Sequence, residues 1–98
     1  MELKFKTRTY NINIKDTAKE NIKKRNTDIH KVLSVIISLD EERLSQYINR
    51  DTNIFIIDEY ESHIGVEFNI INGTINIINV LDSSDCYVKH GSNAIEFE

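Results

Sequence analysis

Proline and tryptophan are absent from the 98 residues, cysteine and methionine occur once each, and glycine occurs three times. Without proline there is no stiff Pro-rich linker between domains, and the length suits one domain spanning residues 1–98, with a single core layer between a sheet and some helices. The lone Cys86 rules out an internal disulfide framework, so packing has to hold the fold. No apolar run approaches the roughly 20 residues that span a bilayer. Met1-Glu2-Leu3-Lys4-Phe5-Lys6 also lacks the apolar centre of a secretion signal. The expectation is a soluble, cytoplasmic protein that does not engage a membrane.

Motifs are missing too. There is no Gly-rich phosphate loop, no serine elbow and no CxxC pair, which argues against nucleotide-dependent, acyl-transfer and zinc chemistry. Asp58, Glu59 and Glu61 have only His63 nearby, too little for a divalent-ion site, so neither metal nor cofactor is expected. Cations are scarce in the second half: residues 51–98 hold Lys89 alone against nine Asp or Glu. Residues 1–31 hold nine Lys or Arg against four acids, so a formal net charge of −4 conceals a basic end and an acidic end. Any phosphate contacts belong to the first third, and the acidic half repels nucleic acid.

What is present is organised around Gly65 to Val80. Asn72-Gly73 separates two alternating runs, and a two-residue Asn-Gly loop accepts the positive φ angles of a type I′ hairpin turn. Counting outward pairs Ile71 with Thr74, Ile70 with Ile75, Asn69 with Asn76 and Phe68 with Ile77. Val66, Phe68, Ile70, Ile75 and Ile77 then share one face, with Glu67, Asn69, Asn76, Ile71, Ile78 and Val80 on the other. Apolar residues on both faces place this hairpin centrally in its sheet.

Upstream, Leu3 to Ile14 alternates as a strand, with a change of parity that marks a bulge or strand end near Thr7 to Thr9. Asp16-Thr17 opens a first helix, with Thr17 and Glu20 in capping-box spacing and Ala18 and Ile22 inward. Asn26-Thr27-Asp28 breaks it and caps a second helix, whose Ile29, Val32, Leu33, Ile36 and Ile37 form a stripe for the sheet. Ser38 and Glu41 suggest another capping box, before a third helix that buries Leu44, Tyr47 and Ile48 and ends near Asn49 to Asp51. Ile54 to Ile57 is a continuous apolar run, as in a strand covered on both faces. Cys86 to Val88 and Ala94 to Phe97 suggest a last small hairpin. The fold class is α+β: an N-terminal strand, then two or three helices packed on one face of a three- to five-stranded antiparallel meander.

Thr17 to Leu33 resembles the helical start of a widespread group of small domains placed with the RelE-like toxins, and Val35 to Tyr47 resembles part of the helical region of MqsR-type mRNA interferases. The resemblance covers roughly Ile14 to Leu81. It implies a RelE/MqsR-like fold and a metal-independent endoribonuclease of toxin–antitoxin type, with RNA as substrate and an antitoxin as cognate partner. Departures point to reduced or lost activity. Thr17-Ala18 stands where that group has His-Ala, and Asn21 replaces the first of two basic residues; Arg25 keeps the second.

Cutting RNA by 2′-OH attack needs a base, an acid and a cation, and His titrates in the right range for the base. The candidate catalytic set is His63, Tyr87, Lys89 and His90, with Lys19, Lys23, Lys24 and Arg25 as phosphate contacts. The acidic half supports a different class of function: an immunity, antitoxin-like or phage anti-CRISPR or anti-restriction inhibitor. Such a protein would present Asp58, Glu59, Glu61 and Glu67 to the basic groove of a target nuclease. A third reading has the basic strand or a meander edge forming a homodimer.

Overall fold

The elements run β1 (Glu2–Lys4), β2 (Thr9–Ile14), α1 (Asp16–Lys24), α2 (Ile29–Ile37), α3 (Glu41–Ser45), β3 (Ile54–Asp58), β4 (Ile64–Ile71), β5 (Thr74–Asp82), β6 (Cys86–Val88) and β7 (Ile95–Phe97). The structure is a computed structural model that describes residues 1–58 and 61–82, and the backbone of strands β6 and β7.

The Asn-Gly corner sets the register as its chemistry requires. Asn72 and Gly73 have φ of 50° and 77°. The β4–β5 pairs Ile71–Thr74, Ile70–Ile75, Asn69–Asn76 and Phe68–Ile77 all form. Past them lies a bulge: Glu67 pairs with Asn79, so Ile78 is the extra residue on β5. A bulge reverses parity beyond it. Val80, expected on the outer face, therefore pairs with Val66 and is fully buried in the core.

Among the described residues, β1–β5 form one sheet in the order β1-β2-β5-β4-β3, while β6 and β7 form a separate pair. β3, β4 and β5 are the expected antiparallel meander, but β2 joins β5 in parallel, so the sheet is mixed and not antiparallel throughout. The N-terminal strand is in fact a hairpin. Leu3 pairs with Tyr10, and the Phe5 N–H donates to Arg8 O at 2.8 Å across the turn that causes the change of parity.

β2 accompanies β5 only as far as Ile77, where the Lys15 N–H donates to Ile77 O at 2.9 Å. There the chain turns into α1, which lies along the remainder of β5. Asn21 Nδ2 donates to Asn79 Oδ1 at 2.6 Å and Arg25 pairs with Asp82, so the helix replaces a strand as the neighbour of that edge. α1 ends in a Schellman motif with Asn26 at φ 52°: the Thr27 N–H donates to Ile22 O at 3.1 Å and the Asn26 N–H to Lys23 O at 3.2 Å.

Ala18, Val32, Val35, Ile36 and Leu44 from the three helices join Leu3, Tyr10, Ile64, Val66, Phe68, Ile70, Ile75, Ile77 and Val80 in one core cluster. Two helix assignments need correction. The buried stripe of α2 centres on Val32, Val35 and Ile36, and Ile37 is 50% exposed because α2 is rotated toward Val35. α3 is also shorter than expected. It stops at Ser45, because the following chain leaves the helix to bridge β4: Ile48 pairs with Ile70 and the Asn49 N–H donates to Ile70 O at 2.7 Å.

β3 is the edge strand, and all five of its residues are half-buried. The continuous apolar run thus lies at an edge of the sheet, with residues of both its faces partly covered. The outer face carries a line of amides across the strands. Asn13 donates to Asn76 at 3.0 Å, Asn76 to Asn69 at 2.9 Å, Asn69 to Asn53 at 3.1 Å and Asn53 to Glu67 at 3.1 Å. No helix among the described residues is long and apolar enough to cross a membrane.

Candidate functional site

A groove of about 630 Å³ lies between α2 and the end of β3. Asp28 positions its helical wall: as N-cap of α2 its carboxylate accepts the Lys31 N–H at 3.0 Å. With Val32, Val35 and Ile36 directed to the core, His30, Lys31, Ser34 and Ser38 are left exposed. The two serine hydroxyls are occupied within the helix, Ser34 donating to His30 O at 2.8 Å and Ser38 to Val35 O at 2.5 Å. These local bonds leave neither serine prepared as a nucleophile.

The strand wall is Ile56, Ile57 and Asp58, continued by Glu61 and Ser62. Asp58 builds that loop: its carboxylate accepts the N–H of Glu61 at 3.2 Å, the N–H of Ser62 at 3.0 Å and the Ser62 hydroxyl at 2.8 Å. Val35, Ile56 and Ile57 give the groove an apolar floor, and among the described residues three carboxylates (Asp28, Asp58, Glu61) face one ammonium, Lys31. The groove suits an apolar side chain flanked by positive charge.

The residues expected from the sequence are distributed as follows. His63 ends the β3–β4 loop, exposed, with φ 57°. Left-handed backbone is a turn conformation that His tolerates better than most residues, which accounts for this position without catalysis. Of its proposed partners, Tyr87 lies on β6 with only its backbone described, and Lys89 and His90 lie outside the described residues.

Lys19, Lys23 and Lys24 are exposed on α1, and Lys15, Lys19 and Lys23 follow one another at intervals of four. Arg25 separates from them: its side chain is 20% exposed and is paired with Asp82. The acidic group also divides. Asp58 and Glu61 line the groove, whereas Glu67 is on the other face of the sheet, opposite Phe55, where it accepts from Asn53. The pleat causes the split, since Asp58 pairs with Ile64 and Glu67 with Phe55, at positions of opposite parity. Glu59 lies outside the described residues.

His30, Lys31 and Ser34 are groove residues that sequence reasoning missed as a site. Their positions opposite the apolar stripe of α2 were readable, but which strand packs beside that helix was not. No group of three or more His, Cys, Asp or Glu among the described residues is arranged to hold a metal ion. A smaller cleft of about 350 Å³ is lined by Thr7, Arg8, Tyr10, Glu41, Glu42 and Ser45. There Glu41 accepts from the Thr7 N–H at 3.2 Å and from the Thr7 hydroxyl, tying the β1–β2 turn to the start of α3.

Comparison with protein-family models, with curated proteins and with solved structures finds no match.

Proposed function

We propose that the chain is a binding module of the inhibitor or antitoxin-like kind, which recognises a basic segment of another protein, such as a nuclease, through the groove between α2 and β3. One observation carries this reading. Asp58 and Glu61, two carboxylates marked from the sequence as partner contacts, share a groove with Asp28 over an apolar floor. Such a site attracts a cationic partner at long range and gains affinity by covering the half-buried Ile56 and Ile57.

The test is titration with a fluorescent, end-blocked heptapeptide alternating lysine and valine, at low and at physiological salt. Glu61 is the informative position, since its side chain is exposed and Asp58 is committed to the loop. Glu61→Lys is expected to weaken binding by about 0.5–1 kcal/mol, roughly two- to fivefold, and salt should weaken it further. Binding indifferent to both would sink the reading.

The resemblance to RelE and MqsR supports a second reading, and the Lys15, Lys19, Lys23 line on α1 favours it, being an exposed cationic ridge in the basic third of the chain. In this reading the ridge meets RNA phosphates, while His63, Tyr87, Lys89 and His90 carry metal-independent cleavage. Total RNA incubated with the protein and a chelator separates the two. Cleavage lost in both His63→Ala and His90→Ala would establish the ribonuclease, and intact RNA with unimpaired growth on expression would remove it.

A further inference from the structure

The parallel pairing of β2 with β5 joins like with like at three of its four positions: Ile12 to Ile75, Asn13 to Asn76 and Ile14 to Ile77, with Asn11 opposite Thr74 at the fourth. Asn-Ile-Asn-Ile lies in register on Thr-Ile-Asn-Ile. Ile12 and Ile14 pack against the core together with the fully buried Ile75 and Ile77, while Asn13 donates to Asn76 at 3.0 Å. This side of β5 therefore already accepts, in parallel, a strand almost identical to itself.

β5 also belongs to the longest uncharged run of the chain. Residues 68–81, between Glu67 and Asp82, are fourteen in number, five of them Ile and four Asn. Uncharged, β-branched segments without proline are the ones that stack on identical copies, burying aliphatic side chains in dry layers and aligning asparagines into ladders. β2 is bounded more closely, by Arg8 and Lys15, with six uncharged residues between them. Like charges that recur at each level oppose a stack. In the folded chain β4 occupies one side of β5, and β2 followed by α1 occupies the other. That second cover comes from far along the sequence, since Asn13 and Asn76 are 63 positions apart. Its loop-closure cost makes it late to form and early to open.

We propose that β5 has a second copy of this chain as its partner. When β2 is not seated, residues 74–80 of an unfolded copy pair with β5 in the parallel register that β2 uses, and each added segment offers the same edge to the next. The β2–β5 pairing is then a cover as well as a joint, and what competes for it is β5 itself. The groove and its ligand play no part in this assembly.

The experiment agitates the full chain in urea near its unfolding midpoint and follows assembly by thioflavin T fluorescence and sedimentation. Fibres are expected, with their slowly exchanging amides within residues 68–81. A spin label on Thr74→Cys, in a Cys86→Ser background, should give the exchange-narrowed spectrum of labels stacked about 4.8 Å apart. Variants are compared at urea concentrations that leave the same fraction unfolded. Ile14→Ala, which loosens the β2–β5 pairing, should shorten the lag roughly fivefold. Leu44→Ala, which removes a fully buried side chain of α3, should leave the lag near that of the parent. Asn76→Lys should suppress fibres although it breaks the line of amides, because a lysine would recur at each level. Equal lags for Ile14→Ala and Leu44→Ala would overturn the covering role of β2. A broad label spectrum would overturn the parallel register. A protected core at residues 32–39, the next-longest uncharged run, or fibres formed as readily by Asn76→Lys, would overturn self-pairing of β5, as would the absence of any assembly in Ile14→Ala.

Discussion

Tyr10 on β2 is fully buried, with its ring edge-on to Phe5 at a centroid separation of 5.9 Å, and its hydroxyl has no hydrogen-bond partner among the described residues. A buried hydroxyl left unpaired costs about 1–3 kcal/mol, while the ring packing is independent of it. Tyr10→Phe is therefore expected to raise stability by about 1 kcal/mol in urea unfolding. A comparable loss would show that the hydroxyl finds a partner in solution. Arg25 shows why some roles at this scale were not legible in the sequence. It stands in line with Lys19, Lys23 and Lys24, but it is the C-cap of α1, and its partner Asp82 is 57 residues further along the chain. Local spacing identified a basic helix, and only the path of β5 decided which of its cations was already engaged.

At the scale of the element, turns and periodicity were readable, whereas caps and bulges were only partly so. The Asn-Gly corner worked because both residue types accept positive φ, leaving one register for the hairpin. The three expected caps had different outcomes. Asp28 caps α2 through Lys31, but α1 starts after Lys15 with no side-chain cap, and α3 is capped by Asp40, which accepts the Arg43 N–H at 2.8 Å, instead of by Ser38. A capping-box pattern shows that a helix start is available and leaves the exact residue open within a turn. Asp28→Ala should accordingly cost about 1 kcal/mol and Thr17→Ala no more than a few tenths, as read by thermal denaturation. The bulge at Ile78 is the same kind of hidden feature, since a strictly alternating β5 would put Val80 outside. Val80→Ala should cost about 2 kcal/mol through lost burial and an unfilled cavity, and Ile78→Ala clearly less, because Ile78 is only half-buried. Equal losses would remove the bulge. The site was legible to the extent that Asp58 and Glu61 were named. The α2 wall was not, because adjacency of a helix and a strand is a property of topology.

For the whole molecule, the decisive feature is the seam between β2 and β5, which joins Asn11–Ile14 in parallel to Thr74–Ile77. It connects the two ends of the described core and leaves β3 at the far edge of the sheet, while α1 packs on β5 and α2 on β3 and β4. The seam also pairs residues 63 positions apart, such as Asn13 and Asn76, whereas the β4–β5 hairpin closes over two. Loop-closure entropy has to be met before such distant contacts return any stabilisation, so the hairpin belongs to the folding nucleus and the seam to a later stage. Ile70→Val in the hairpin should place more than half of its destabilisation in a slower folding rate. Ile14→Ala in the seam, with a cost of about 1–2 kcal/mol for a half-buried side chain, should act mainly by faster unfolding. Chevron plots of the two variants read this directly. The opposite partition would mean that the seam forms first, with the hairpin completing the sheet only afterwards.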